Sequence, residues 1–310
     1  MVPNNLTGLG SVSGLGSFTA VEPPSYFGLF NRGTTLYKWD FANDTVSTVA
    51  SSLPNSNDFM VGHSDVGTAG YAASGSGSSI LWGNKTAYSN LTTSSLSNAP
   101  LGRSQPSGAA GNTGVAGYVV GGNSSTNAVL VNTSTNKVNY ANDTQSTLSN
   151  MAGNGVTSQG GASASNVGQS ALTQRTGSSS SRIKMPYSTE TYGFISDFSQ
   201  VFNSNSAVAS NSGTAGYFYP GYLSNVSASV FKWGYSADTQ SVLSSTATPA
   251  RYWATGIYRT GVAGYFIGGN NGAGSTNKMP FSTETFSVST AVNAAVGSGD
   301  PRGASVSNGG

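Results

Sequence analysis

Residues able to support acid–base or metal chemistry are scarce in this chain. The 310 residues contain one histidine, His63, and no cysteine. Zinc and copper enzymes usually bind their metal through two or three histidine or thiolate ligands, so we expect no metal, no cofactor and no catalytic residue. No Gly-x-Ser-x-Gly sequence surrounds a serine nucleophile, although counting residues leaves a Ser–His–acid triad open. We interpret His63 as a strand residue near a channel or solvent.

Five carboxylates recur in one local pattern: an aromatic residue, a small residue, any residue, an acid and threonine. The pattern occupies residues 41–45, 140–144, 187–191, 235–239 and 281–285, and its acids are Asp44, Asp143, Glu190, Asp238 and Glu284. These acids stand at equivalent places in separate repeats, so a ring of repeats would keep them apart. We therefore predict that they cap turns rather than form a catalytic pair. A sixth, degenerate copy is predicted at Asn84-Lys85-Thr86, where Lys85 replaces the acid.

One stretch, residues 251–259, concentrates arginine and aromatic residues outside the repeat pattern. Aromatic rings and guanidinium groups are favoured in binding sites because they combine a large contact area with polar groups. We predict ligand binding by Arg251, Tyr252, Trp253 and Tyr258. In the alternative interpretation, Trp253 plugs a central axis or packs between repeats.

A second recurring segment, Gly-x-Ala-Gly-Tyr, alternates with the acidic pattern. Near copies lie at residues 67–71, 114–118, 213–217 and 261–265, and the threonines that end the acidic pattern are 41–58 residues apart. A period of about 40–50 residues is typical of propeller blades. In the best-preserved unit, short apolar runs separated by Gly and Pro predict strands over 250–258, 263–267, 278–281 and 285–290. The tyrosine of each segment is predicted to pack between blades.

The two ends of the chain complement each other. Residues 300–310 predict an inner strand that no second strand follows, whereas 25–30, 36–41 and 45–49 predict the three strands that such a blade lacks. One blade should therefore combine both termini, which closes a ring and removes exposed sheet edges. The predicted fold is an all-β, six-bladed β-propeller over residues 25–310. A seventh blade would require an irregular repeat within residues 151–200.

The overall composition narrows the choice of partners. Charged residues make up 8% of the chain, the net charge is +2, and no lysine or arginine cluster is present, which argues against nucleic acid. No apolar run is long enough to insert into a membrane as a helix, and the N-terminal residues lack a secretory signal pattern. Residues 1–24, which end at Pro23-Pro24, predict a flexible arm. This arm is either a disordered terminus or an anchor that binds other proteins through Leu6, Leu9, Val12, Leu15 and Phe18.

The unit at residues 249–285 resembles the kelch repeat. It contains Pro249-Ala250-Arg251, Gly268-Gly269 and the aromatic–acid–threonine pattern at 281–285. The resemblance extends over residues 25–310 and implies a kelch-like β-propeller. It departs from the usual pattern because the late tryptophan is missing and Gly-Gly is intact in only two units. A kelch-type copper oxidase would need two histidines and a cysteine-modified tyrosine, which this composition does not supply.

The sequence is also similar to kelch-like propeller proteins of tailed phages, especially marine and cyanobacterial ones, with their Tyr-Ser-Thr-Glu-Thr turns, found here at residues 187–191. This resemblance implies a non-enzymatic protein of the virus particle, namely a tail fibre, a tail-tip component or a capsid decoration. Its partners would be other virion proteins, contacted through the arm, and a glycan of the host surface. The alternative is a secreted or cell-surface carbohydrate-binding propeller, because one fold serves many functions.

Overall fold

The computed structural model describes residues 26–54, 61–73, 83–96, 103–104, 108–121, 123–124, 127–131, 135–148, 162–174, 181–197, 207–219, 228–247, 254–269, 275–289 and 305–308. Within these ranges β-strands provide all the regular secondary structure. The strands, numbered β1 to β27 along the chain, form six four-stranded antiparallel sheets and one small three-stranded sheet.

Each four-stranded sheet is one blade, and blades 2 to 6 are each continuous in sequence. Blade 1 contains β1 (Phe27–Arg32), β2 (Thr35–Asp40), β3 (Thr45–Ser52) and, from the other end of the chain, β27 (Ser305–Asn308). Blade 2 contains β4 (Val61–Asp65), β5 (Ala69–Ala73), β6 (Gly83–Ala87) and β7 (Thr93–Ser95). Blade 3 contains β9 (Gly108–Asn112), β10 (Ala116–Val120), β13 (Thr135–Asn139) and β14 (Gln145–Leu148).

The remaining blades repeat this order. Blade 4 contains β15 (Ala162–Asn166), β16 (Ser170–Gln174), β17 (Ser181–Pro186) and β18 (Gly193–Asp197). Blade 5 contains β19 (Ala207–Asn211), β20 (Ala215–Tyr219), β21 (Phe231–Gly234) and β22 (Thr239–Val242). Blade 6 contains β23 (Thr255–Arg259), β24 (Ala263–Ile267), β25 (Thr276–Pro280) and β26 (Ser287–Ser289).

The innermost strands of the six blades surround a common axis. In order around the ring they are β27, β4, β9, β15, β19 and β23, and each contacts the next. Because β23 also contacts β27, the ring is closed. The predicted six-bladed β-propeller is therefore confirmed, and the described part of region 151–200 forms one blade.

Blade 1 confirms that both chain ends build one sheet. β27 pairs with β1 in an antiparallel register that runs from Phe27↔Asn308 to Phe30↔Ser305. Phe27, Leu29 and Phe30 on β1 are at most 3% exposed. The last described strand therefore completes an apolar blade whose other strands come from the first described residues.

The second strand of each blade is sandwiched between its neighbours, and its composition explains the burial. All five residues of Ala263–Ile267 are buried, whereas the outermost strand Ser287–Ser289 is mainly exposed. The predicted strand 263–267 is thus confirmed residue for residue. The third strand, Thr276–Pro280, begins two residues before the predicted one, and the first strand is Thr255–Arg259.

The two faces of the propeller differ in their connections. On the turn face, the first and second strands of blades 2 to 6 are joined by three-residue turns, 66–68, 113–115, 167–169, 212–214 and 260–262. On the opposite connection face, each inner strand begins beside the end of its second strand, as Val61 does beside Ala73. Tyr26 precedes β1, and Asn308 ends β27, so both lie at the turn face.

A small sheet is attached to blade 3. It consists of β8 (Arg103–Ser104), β11 (Asn123–Ser124) and β12 (Asn127–Val131), in the order β12-β11-β8. β8 precedes the inner strand of blade 3, and β11 follows its second strand. The small sheet therefore belongs to the connection face.

The sixth copy of the acidic pattern lies elsewhere than predicted. Asn84-Lys85-Thr86 is part of the third strand of blade 2, not a turn. The turn equivalent to the others follows it: Leu91 has a positive φ of 57°, as the five acids do, and its N–H donates to Ala87 O. The prediction was wrong because leucine replaces the acid in Tyr88-Ser89-Asn90-Leu91-Thr92, which otherwise fits the pattern.

Candidate functional site

The recurring acids join neighbouring blades. Each takes a left-handed backbone conformation, with φ between 51° and 56°, which directs its carboxylate toward a lysine on the third strand of the preceding blade. The five pairs are Lys85–Asp143 (2.7 Å), Lys137–Glu190 (2.5 Å), Lys184–Asp238 (2.8 Å), Lys232–Glu284 (2.6 Å) and Lys278–Asp44. Their side chains are about one quarter to one third exposed, and each pair bridges one blade junction.

Four of these carboxylates also accept a tyrosine hydrogen bond. The donors are the tyrosines of the Gly-x-Ala-Gly-Tyr segments: Tyr71 to Asp143 (2.9 Å), Tyr118 to Glu190 (2.7 Å), Tyr217 to Glu284 (2.7 Å) and Tyr265 to Asp44 (2.9 Å). Each tyrosine is at most 1% exposed, which confirms that these residues pack between blades. Burial and the adjacent carboxylate raise the pKa of all four hydroxyls well above the usual value.

Aromatic stacking completes each of these four junctions. The tyrosine of one blade stacks on the first aromatic residue of the next blade's turn: Tyr71 on Tyr140, Tyr118 on Tyr187, Tyr217 on Phe281 and Tyr265 on Phe41, with ring centroids 4.9–5.3 Å apart. Aromatic pairs at this distance add attraction beyond simple burial. The two recurring motifs are thus the two halves of one contact.

The predicted turn-capping role of the acids was wrong. In the turns of blades 1, 2 and 3, asparagine two residues before the threonine is the cap: Asn43, Asn90 and Asn142 accept from the N–H and hydroxyl of Thr45, Thr92 and Thr144. At Asp44 and Asp143 the asparagine thus satisfies the turn while the acid binds across the junction. The other three acids bind across their junctions with Thr189, Ala237 or Thr283 at the asparagine position.

The junction between blades 1 and 2 is apolar. Leu91 replaces the acid, Leu29 replaces the tyrosine, and both belong to a cluster with Phe27, Leu36 and Tyr88. Lys38, at the lysine position of blade 1, lies over the ring of Phe27, 4.6 Å from its centroid. Blade 1, which combines both termini, is thus joined to blade 2 by hydrophobic packing rather than by an ion pair.

A second set of contacts lies close to the axis. The Asn or Asp at the end of an inner strand accepts a hydrogen bond from the turn glycine N–H of the next blade. The contacts are Asn308–Gly67, Asp65–Gly114, Asn112–Gly168, Asn166–Gly213 and Asn211–Gly261, at 2.7–3.0 Å. In blade 6 this position holds Arg259, whose guanidinium lies 4.5 Å from the ring centroid of Tyr26.

An axial cavity of about 110 Å³ lies between the inner strands. Ser64, Ser165, Ser210 and Ser307 line it at equivalent positions of four blades. Their Oγ atoms satisfy backbone groups of adjacent inner strands: Ser165 N–H donates to Ser210, and Ser307 N–H to Ser64. Ligand pockets are commonly about 300–1,000 Å³, so this cavity suits a few water molecules better than a sugar.

Of the four residues predicted to bind a ligand, Tyr258 is the one that lies within the described ranges. It occupies the serine position in blade 6 and lines the axial cavity, where its hydroxyl is hydrogen-bonded to Ser210 and burial raises its pKa. Its N–H donates to Ser307. Tyr258 is therefore half-buried at the axis and holds inner strands together. Arg251, Tyr252 and Trp253, including the alternative that Trp253 plugs the axis, lie outside the described residues.

The arm also lies outside the described residues. These begin at Tyr26, so the predicted anchor residues Leu6, Leu9, Val12, Leu15 and Phe18 have no described position. The division into an arm over 1–24 and a propeller over 25–310 stays a prediction. The structure does define where these N-terminal residues join the propeller, because Tyr26 lies at the turn face beside Arg259.

His63 lies in the inner strand of blade 2, as predicted, and is 4% exposed. Its ring stacks on Tyr71 at 5.2 Å, and its Nδ1 is 2.9 Å from the Tyr140 hydroxyl of blade 3. Burial lowers the pKa of the imidazole to about 3 because the charged form would lose its hydration. Sequence reasoning could not find this contact, since Tyr140 is 77 residues away.

Two kinds of feature are absent from the described residues. They contain no group of three or more His, Cys, Asp or Glu side chains placed to hold a metal ion. Nor do they contain a helix long and apolar enough to cross a membrane.

Comparison with known proteins leads to the same fold. No family model matches the chain, and no curated protein matches it. Among solved structures, the chain is similar to the one described as "Structure of YjhT", with a TM-score of 0.65 over 86% of this chain and 98% of that chain. The sequence identity is 12%, so the likeness concerns the fold alone. The chain is a six-bladed β-propeller.

Proposed function

We propose that this propeller is a non-catalytic structural and binding protein of a bacteriophage particle, such as a tail fibre, a tail-tip component or a capsid decoration. The observation that carries the proposal is the structural difference between its two faces. Residues 1–25 join the propeller at the turn face, through Tyr26. The connections that differ most between blades leave from the opposite face.

The connection lengths support this division. Between first and second strands, the turns of blades 2 to 6 have three residues each. Between second and third strands, the connections range from two residues (33–34) to fourteen (121–134). Recognition usually resides in variable connections on a rigid scaffold. The propeller is thus suited to attach by one face and to bind by the other.

The positions of the lysines also support a structural role for the propeller. The chain has six lysines, and they stand at the same position of the third strand in the six blades. Five of them pair with the five recurring acids across blade junctions. In the aromatic–acid–threonine turns the exposed residues are Ser, Thr, Asn and Ala, as in Ala42-Asn43 and Ser188-Thr189.

The test uses purified virus particles and antibodies raised against the isolated propeller. Immunogold electron microscopy of gradient-purified virions should show label at one type of location on the particle. A chain lacking residues 1–24 should fold to the same thermal midpoint but should not be incorporated when it is supplied in place of the full chain.

Two outcomes would overturn the proposal. Unlabelled virions would show that the protein is not part of the particle. Normal incorporation of the shortened chain would show that the arm is not the anchor. Unlabelled virions combined with retention of the free protein on a glycan array would favour the alternative, a secreted or cell-surface carbohydrate-binding propeller.

A further inference from the structure

His63 breaks the pattern of the inner strands at one blade junction. The equivalent positions hold Ala110, Ala164 and Ala209 in blades 3, 4 and 5. At this position the inner strand packs against the second strand of the next blade. A Cβ added at Gly117 of blade 3 would lie 2.0 Å from the His63 ring, and one added at Gly264 of blade 6 would lie 2.4 Å from Ala209 Cβ. The same close contact thus contains an ionisable ring at one junction and a methyl group at another.

The hydrogen bonds around His63 select the tautomer of its neutral form. The Tyr140 hydroxyl donates to Ser64 O at 3.1 Å, so it accepts from Nδ1–H of His63 at 2.9 Å. Nε2 then carries the lone pair and is the atom that an incoming proton would occupy. The chain His63–Tyr140–Ser64 runs from blade 2 to blade 3 and back, so it is part of the junction itself.

The groups facing His63 offer little compensation for a positive charge. Tyr71 stacks on the imidazole, and Tyr140 and Gly117 of blade 3 also lie against it. The carboxylates at this junction are already engaged: Asp65 accepts from the Gly114 N–H, and Asp143 binds Lys85 and Tyr71. No described carboxylate is hydrogen-bonded to the imidazole. On the side of blade 1, Val306 and Ser307 are uncharged.

We propose that His63 makes the junction between blades 2 and 3 the acid-sensitive seam of the ring, which opens when the imidazole takes up a proton. A buried cation without a counter-charge is unstable, whereas separation of the two blades exposes the imidazole to water. The axial cavity, which His63 lines, lies beside the seam. This inference is independent of the proposed role in a virus particle.

The direction of the effect follows from the two protonation equilibria. Burial holds the pKa of His63 at about 3 in the closed ring, whereas an exposed histidine has a pKa of about 6.5. Between these values only the open form binds the proton, so stability of the closed junction is full above about pH 6.5 and decreases as the pH falls. The open-to-closed ratio should increase about 30-fold between pH 7.5 and pH 5.0.

The first measurement uses the fact that the chain contains a single histidine. In a ¹H–¹⁵N NMR titration of the folded protein, the imidazole nitrogens should keep the shifts of the neutral Nδ1–H tautomer at pH 5. Titration with an ordinary midpoint near pH 6.5 in the folded state would overturn the proposal.

The second measurement locates the opening. Hydrogen exchange, corrected for intrinsic rates, should accelerate about 30-fold in Val61–Asp65 between pH 7.5 and 5.0, and should change little in Ala207–Asn211, the matched inner strand with alanine. In the variants His63→Ala and His63→Gln, the acceleration at blade 2 should disappear. An unchanged acceleration in either folded variant, or equal acceleration of both strands in the native chain, would show that His63 is not the seam.

Discussion

At the scale of single residues, lysine has one structural use in this chain. Each lysine stands three residues before the first aromatic residue of a turn, as Lys232 does before Tyr235 and Lys278 before Phe281. That spacing places the ammonium group on the third strand, and in five of the six blades it lies opposite the acid of the next blade. Reading acids and lysines together would have identified the bridges from sequence. Reading acids alone suggested turn caps.

Replacing one bridging lysine should weaken one junction. Lys232→Met keeps the length of the side chain but leaves Glu284 with only the Tyr217 hydroxyl as a partner. Because the pair is partly exposed, we expect the free energy of unfolding to decrease by about 1 kcal/mol, measured by chemical denaturation. Lys38→Met is the matched control, since Lys38 faces no acid at its junction; an equal loss there would contradict the assignment.

The close approach of blades depends on glycine at the second-strand position before tyrosine. Gly117→Ala should reduce the free energy of unfolding by about 1–3 kcal/mol, because the new methyl group overlaps the His63 ring. Gly193→Ala is the control: Gly193 is also in a strand, and a Cβ there meets no atom within 4 Å. Thermal unfolding of the two variants should therefore differ clearly, and similar midpoints would indicate that the junction relaxes.

At the scale of turns and strands, the axial contacts require an acceptor rather than a particular amide. Asn211→Ala removes the acceptor for the Gly261 N–H and should cost about 1 kcal/mol. Asn211→Asp should be nearly neutral at pH 7, because blade 2 uses Asp65 at the same position. The thermal midpoints of the two variants test this, and equal losses would mean that the amide N–H₂ group matters as well.

Much of the element structure could be predicted from the repeats. The strand Ala263–Ile267 and the pairing of the two chain ends are examples, because apolar runs between glycines define strands locally. The turn at Leu91 was missed because its defining side chain is absent although its backbone conformation is kept. The contacts of His63 and of the axial serines could not be predicted, because their partners lie between 45 and 243 positions away and no repeated pattern marks them.

At the scale of the whole molecule, closure depends on four residues. Removing residues 305–310 would delete β27 and expose the edge of β1, including Phe27 and Leu29, which are now buried. We expect such a chain to lose its cooperative thermal transition and to associate through the free edge, as size-exclusion chromatography would show. A synthetic peptide of residues 303–310 added during refolding should restore the monomer; no restoration would mean that β27 acts only when it is covalently attached.

At the candidate site, the propeller ring brings together residues that the sequence does not connect. In the sequence Tyr258 stands near arginine and aromatic residues, yet the propeller ring places it on the axis, among serines of other blades. The same geometry turns His63, an isolated histidine in the sequence, into a group shared by two blades.

The pairing of the lysines also makes primary amines reporters of ring integrity. Five of the six ε-amino groups are tied to carboxylates, with lysine side chains only 24–31% exposed. Acylating reagents should therefore modify the closed protein slowly at these sites and rapidly once a junction separates. Counting acyl groups on each lysine by mass spectrometry would show which blade junction separates first, without any engineered label.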